Sequence, residues 1–315
     1  MRSLVDNRDG VLSVARRRDG KVRHVARTVK VRWRASRRGI AGAVTAVLFV
    51  IIITAILAGI TLYYVPSWSK DAESEHMSKV ANQFLTISDG VNGQISKGEG
   101  FSSLYSHIAL TSGATTSFLG MQGEPSKGTL RFNGNETLFW VHDTDNSSDI
   151  YAVAKGELSF RSYNSYYTDQ EYVYEEGAVL VRQGSCSTVR DGSPPELHRD
   201  ASGCLTLTIT FITLFGEDTS VTGTGSAGVE TRILHTDSTT MPLPGGKNLT
   251  LNATCRCGDG WARWINSSLR SSAPSENITA QNYSVARTSY GFRLDAVGVV
   301  ALTVKLAVIE MKVSK

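Results

Sequence analysis

Residues 40–65 read IAGAVTAVLFVIIITAILAGITLYYV, twenty-six positions without a charge, and the next charged residue is Lys70. At about 1.5 Å per residue a helix of that length spans roughly 39 Å, against a hydrocarbon core of about 30 Å. A core helix of a soluble protein rarely runs so far without a polar face, so the stretch reads as a transmembrane helix. Arg34, Arg37 and Arg38 abut its start, while Lys70, Asp71, Glu73 and Glu75 follow its end. That asymmetry sets the N-terminus in the cytoplasm and the chain beyond the span outside the cell membrane. Tyr63, Tyr64 and Trp68 stand where an aromatic belt meets the outer interface.

The composition carries the same polarity. Of 315 residues, 41% are hydrophobic and 20% charged, which excludes a disordered or collagen-like chain and a multispanning membrane protein. The net charge of +4 divides unevenly. Residues 1–39 carry thirteen Lys/Arg against Asp6, Asp9 and Asp19, a balance of +10, and the other 276 residues carry twenty against twenty-six, a balance of −6. Beside a span, a basic leader reads as a topology signal and an attraction to anionic lipids, with no nucleic-acid partner implied.

Beyond the span a helical period continues. Trp68, Ala72, His76, Val80, Phe84, Ile87, Val91 and Ile95 recur at spacings of three and four, with Lys70, Glu73, Lys79, Asn82 and Asp89 on other faces. Pro66 predicts a kink in this one long helix, and Gly98 and Gly100 predict its end. After residue 100 the period becomes two. Strands are expected at 129–132, 137–142, 150–154, 157–163, 171–183, 204–215, 228–234, 247–253 and 298–313. Leu205, Leu207, Ile209 and Phe211 alternate with threonines, and Val300, Leu302, Val304, Leu306 and Val308 are expected on one face. A short helix is expected near 259–270, with Trp261, Trp264, Ile265 and Leu269 as its apolar stripe and Asp259 as N-cap. The fold class is α+β: a basic leader (1–39), a span (40–65), an amphipathic extension (66–98) and one β-rich ectodomain (99–315).

Seven N-x-S/T sequons begin at Asn135, Asn146, Asn248, Asn252, Asn266, Asn277 and Asn282, all on the expected outer side, as glycosylation requires. The four cysteines, Cys186, Cys204, Cys255 and Cys257, also fall there, where disulfides persist. Four cysteines allow three pairings, and Cys186–Cys204 is favoured because Gly192, Pro194 and Pro195 suggest a loop returning to a neighbouring strand. Cys255-Arg256-Cys257 without a second pair is a weak zinc motif.

Other motifs carry little chemistry. Gly223-x-Gly225-x-x-Gly228 precedes an expected strand, whereas a dinucleotide site needs a helix there. The run His142–Asp149 alternates oxygen ligands but lacks the glycine and terminal glutamate of a calcium loop. Tyr163, Tyr166, Tyr167, Tyr172 and Tyr174 form either a cross-strand stabilising cluster or a carbohydrate-binding platform. There is no G-x-S-x-G elbow and no H-E-x-x-H helix, so no catalytic residue, cofactor or metal is assigned.

The join Ser36-Arg37-Arg38-Gly39-Ile40-Ala41-Gly42-Ala43-Val44 resembles the class III signal peptide of archaeal type IV pilin-like proteins. The resemblance implies cleavage by a prepilin peptidase between Gly39 and Ile40. It also implies a long N-terminal helix, apolar and then amphipathic, carrying a β-rich head, with the helix available for self-association. Small residues four apart, Gly42 with Ala46 and Ala55 with Gly59, suit close helix packing in a bilayer. The function expected is that of a non-enzymatic, membrane-anchored or pilin-like surface protein. The alternatives are an adhesin-like module for glycans or surfaces and, further off, a membrane-tethered enzyme.

Overall fold

A computed structural model of the chain describes residues 37–98, 103–113, 125–146, 149–200, 202–276, 278–279 and 281–315. The leader up to residue 36, Gly100 and Asn277 lie outside the described residues, and the side chains of 37–41 are likewise outside. The chain divides into two units, residues 1–59 and 60–315.

In the first unit, α1 (Arg37–Gly59) is helical throughout. Its large aliphatic side chains from Val44 to Ile56 are exposed. The helix is long and apolar enough to cross a membrane, by length and composition.

The second unit opens with a π-helical turn (Ile60–Tyr64) leading into α2 (Val65–Lys97). Pro66 falls in the first turn of α2, directly after the π-helical turn in one continuous helical run. Gly98 closes α2 in the left-handed conformation (φ 61°), its N–H donating to Ile95 O at 3.2 Å.

Among the described residues twelve strands form one sheet: β1 (Ser103–Ala109), β2 (Lys127–Asp143), β3 (Ile150–Tyr163), β4 (Glu171–Glu175), β5 (Ala178–Gln183), β6 (Cys186–Asp191), β7 (Glu196–Arg199), β8 (Leu205–Phe215), β9 (Thr219–Gly223), β10 (Ser226–Thr254), β11 (Tyr283–Arg287) and β12 (Gly291–Ser314). The order is β6-β5-β4-β3-β2-β10-β12-β8-β7, with β1 on β10, β9 on β2 and β11 on β12. Only the β8–β12 pair is parallel among the described pairings. Residues 192–195 link β6 to β7, the two ends of this order, so the sheet curls back until its ends lie within about 18 Å, the reach of five extended residues.

The expected pairs 129–132 and 137–142, 150–154 and 157–163, and 228–234 and 247–253 are each a single long strand. Bulges join the halves, between Asn133 and Leu138 in β2 and between Pro242 and Lys247 in β10. Each bulge turns the strand so that its two halves feed two separate cores. One core gathers Met77, Val80, Phe84, Ile87 and Val91 of α2 against Leu130, Phe132, Leu158, Phe160, Ile309 and Met311. The other gathers Trp261, Ile265 and Leu269 of α3 (Gly258–Glu276) against Phe139, Val141, Leu207, Ile209 and Phe292. β4 and β5, between the helices, alternate into both: Val173 and Leu180 face α3, and Tyr174 and Val179 face the α2 side.

This arrangement corrects the expected face of β12. Leu302 and Val304 are buried in the α3 core, but the following buried residues are Ala307, Ile309 and Met311, on the strand's other side. Leu306 and Val308 are half-buried instead. The stripe of α2 also shifts: Trp68 is exposed, and Glu73 and Met77 are buried. Asp259 is inside the first turn of α3, pairing with Arg263 at 2.7 Å. The capping contacts come from β6, whose Ser187 Oγ accepts the Gly260 N–H (2.8 Å) and donates to Cys257 O (3.1 Å).

Candidate functional site

Two buried polar constellations stand out in the head. The first is on α2. Glu73 is 1% exposed, and its carboxylate accepts three consecutive backbone N–H groups, from Ser165 (2.9 Å), Tyr166 (2.8 Å) and Tyr167 (2.6 Å). Successive amides of a turn make a concave anion site, and here the anion is the helix's own side chain. The β3–β4 loop is thus clasped to the helix a few residues beyond the apolar stretch. Farther along α2, His76 Nε2 donates to Ala109 O (3.0 Å), Gln83 Oε1 accepts the Ala109 N–H (3.0 Å), and Gln94 Nε2 donates to Thr231 O (3.2 Å). Burial lowers the pKa of His76 and favours its neutral ring.

The second constellation lies in the α3 core. Strand register sets Glu157 directly opposite Glu175, an arrangement of like charges that costs energy when both are ionised. Arg256, from the turn between β10 and α3, reaches Glu157, Glu171 (2.9 Å) and Glu136 (3.6 Å), and Glu171 also pairs with Arg182. Glu175 is fully buried, with Oε1 accepting the Trp261 indole N–H at 2.7 Å and Oε2 without a hydrogen-bond partner. Burial pushes its carboxyl up to about 8, the Glu157 charge adds to the rise, and the indole N–H opposes it. Glu176 follows at the β4–β5 turn with φ 49°, beside Gly177 at φ 70°, the pair of positive angles that a two-residue hairpin turn demands. Burial holds its carboxyl well above the ordinary range too.

This predicts how stability depends on pH. Between 4.5, the ordinary value, and about 8, folded Glu175 keeps a proton that the unfolded chain has released. Its contribution is therefore fully present below pH 4.5 and lost as pH rises through 8, with a slope of about 1.4 kcal/mol per pH unit. Glu175→Gln keeps an acceptor for Trp261 and removes the titration. Urea unfolding of the variant should show a flatter pH profile and a stability above that of the natural protein at pH 8.

The cysteines differ from expectation. All four are free thiols, Cys186 exposed and Cys255 and Cys257 buried. The Cys186–Cys204 bridge is not formed because residues 192–195 lead into β7 beside β8, while Cys186 opens β6 beside β5. Gly192 permits that passage, since a side chain there would meet Ala178 Cβ at 2.7 Å. Burial, with Glu175 next in effect, pushes the thiols of Cys255 and Cys257 far up, which keeps them protonated and unreactive. Among the described residues no group of three or more His, Cys, Asp or Glu is placed to hold a metal.

The other motifs are scattered or absorbed. Asp143, in the run with alternating oxygen ligands, is paired with Lys247 (2.5 Å) and also accepts the Asp145 N–H (3.0 Å); Ser147 and Ser148 lie outside the described residues. Gly223–Gly228 runs straight into β10, with no helix following. Of the five tyrosines, Tyr172 and Tyr174 are buried, Tyr167 packs against the α2 core, and Tyr163 and Tyr166 are exposed, so no five-ring platform exists. Among the sequons Asn135 and Asn146 are exposed, while Asn248, Asn252, Asn266 and Asn282 are half-buried. An open groove of about 600 Å³ lies along Phe215, Glu230, Glu310 and Lys312, with Glu310 paired to Arg232 (2.5 Å) and Lys312 (3.7 Å).

Sequence reasoning missed both constellations. Glu73 looked like a polar-face residue, and the Glu171-Tyr-Val-Tyr-Glu175 spacing, which puts both acids on one face of a strand, was the available signal for the second. No family model matches the chain, and neither a curated protein nor a solved structure matches it.

Proposed function

We propose that the protein is a non-enzymatic, single-pass surface protein of pilin-like build, with its N-terminus in the cytoplasm and its β-rich head outside the cell membrane. The observation that carries this reading is the exposed aliphatic surface of α1, from Val44 to Ile56. Left in water, such a surface costs roughly 25 cal/mol per Å², a cost that lipid removes. The basic residues before the span and the acidic ones after it support the orientation. The packing of the head on α2 supports a presenting role.

Cleavage after Gly39 would free Ile40 as the first residue of an assembling helix. Side chains added at Gly42 or Gly59 would meet nothing within 4 Å, so both positions are open to a neighbouring helix. A glycan-binding reading retains only Tyr163 and Tyr166 of its rings.

The protein should stay with membranes through alkaline carbonate extraction. A membrane-impermeant maleimide should label exposed Cys186 in intact cells without lysis. Release by carbonate, or protection of Cys186 until lysis, would overturn the anchor or its orientation. Mass spectrometry of the extracted N-terminus then decides processing: a mature chain beginning at Ile40 supports the pilin-like form, and an intact leader leaves a simple anchored protein.

A further inference from the structure

Nothing in the clasp uses the rings of the loop it holds. Glu73 takes backbone N–H groups from Ser165, Tyr166 and Tyr167, which leaves Tyr166 exposed, and Tyr163 at the end of β3 is exposed as well. Both belong to one end of the sheet. The end of β1 bridges to the start of β2 through Thr111 and Lys127, Lys127 pairs with Tyr163, and Ala109 pairs with Ser226 at the start of β10. The same end lies beside the N-terminal part of α2, since His76 bonds Ala109 while Gln94, farther along, bonds Thr231. Tyr63, Tyr64 and Trp68 on the helix just before are 81%, 54% and 40% exposed, and they meet in sequence, the first pair edge-on and the second tilted, with ring centroids 6.2 and 5.8 Å apart. Arg161 lies over the Tyr163 ring at 5.4 Å, and Lys70 and Lys127 are exposed nearby, with Asp71 and Asp169 as the neighbouring acids.

We propose that this rim of the head is a second, peripheral membrane contact: the β3–β4 loop, held by Glu73, sets Tyr163 and Tyr166 into the phospholipid headgroup layer beside Tyr63, Tyr64 and Trp68. The proposal rests on the anchor reading above. Glu73 stands eight residues beyond Val65, about 12 Å along the helix and less when the helix tilts. The headgroup layer occupies about 5–8 Å of that distance, and a tyrosine side chain spans the remainder. Tyrosine and tryptophan favour this zone because a flat apolar ring meets lipid while the hydroxyl or indole N–H stays wet, and basic side chains alongside reach phosphate. The clasp sets the height of the loop on the helix, so the head rests on the bilayer instead of swinging from it.

The test uses the full chain in liposomes of phosphatidylcholine and phosphatidylglycerol. Cys186 and Cys204 are first replaced by Ser, with Cys255 and Cys257 left buried. A single cysteine at Tyr63, Tyr166 or Tyr290 then carries an environment-sensitive fluorophore, with lipids spin-labelled near the headgroup as quencher. Tyr290 precedes β12, whose first residue Gly291 aligns through Thr254 with Leu138 of β2, eleven positions from Lys127 at the rim, and it is exposed. The expected result is strong quenching at positions 63 and 166 and none at 290. Quenching at 63 alone would overturn the rim contact and leave the anchor standing. Absence at both 63 and 166 would overturn the anchor and the rim contact with it. Equal quenching at 166 and 290 would mean indiscriminate adsorption and would overturn the rim's role as well.

Discussion

Arg256→Met is expected to destabilise the head by about 3–5 kcal/mol, the usual cost of leaving buried charges without their partner. The guanidinium serves Glu157 and Glu171 together, both almost wholly buried, with Glu136 alongside. Methionine fills the same volume and answers none of them. Lysine keeps the charge but lacks the fork that addresses several carboxylates at once, so Arg256→Lys should recover only part of the loss. Acid should narrow the gap. Burial already raises the pKa of Glu157, so lowering the pH neutralises in the variant the charge that has lost its partner. Urea titrations of the detergent-solubilised chain at pH 7.5 and at pH 5 would check both statements. Glu157→Gln added to Arg256→Met should restore stability at the higher pH, and failure to do so would locate the cost elsewhere.

The second large effect belongs to Glu73→Ala. Three consecutive backbone N–H groups lose a charged acceptor at one stroke, and each donor left without a partner costs about 1–3 kcal/mol where water cannot reach it. Local opening of the loop lets water reach some of them, so the expected net loss is about 3–5 kcal/mol. Limited proteolysis should then cut within 164–169 faster than in the natural protein, where Glu73 holds the segment. Glu73→Gln keeps one acceptor oxygen and should fall between. A melting temperature unchanged in both variants would show that the clasp contributes nothing to the fold.

How far these features were legible in the sequence varies with their range. The apolar helix, the amphipathic continuation and α3 follow from local periodicity, though α3 runs six residues past its expected end at 270. The long strands were legible as halves. MPLPGG at residues 241–246 reads as a break, because prolines have no N–H for a ladder, yet β10 carries it as a bulge. The strands β1, β6, β7, β9 and β11 went unseen: TSVTG, CSTVRD and ELHR are short and mostly polar, and sheet pairing alone makes them strands. The site was less legible still. Arg256 meets partners 85 to 120 positions away, and no local pattern records that Glu157 will face Glu175 across a ladder. Glu73 was misjudged for a related reason, since its burial depends on a loop more than ninety residues downstream.

β12 is the last of the twelve strands to be synthesised, yet it lies inside the sheet, between β10 and β8. Until it inserts, β8 and β7 have no link to β10, and Ala307, Ile309 and Met311 are missing from beneath α2. In an anchored chain the stem is by then lodged in lipid, while the face of α2 that carries Phe84, Ile87 and Val91 still lacks part of its cover. On the proposed topology, folding of the head would end with this one strand entering the gap between β10 and β8. A polypeptide stalled before Gly291 would show proteases and chaperones a sticky, unfinished apolar face, lacking Ala307, Ile309 and Met311.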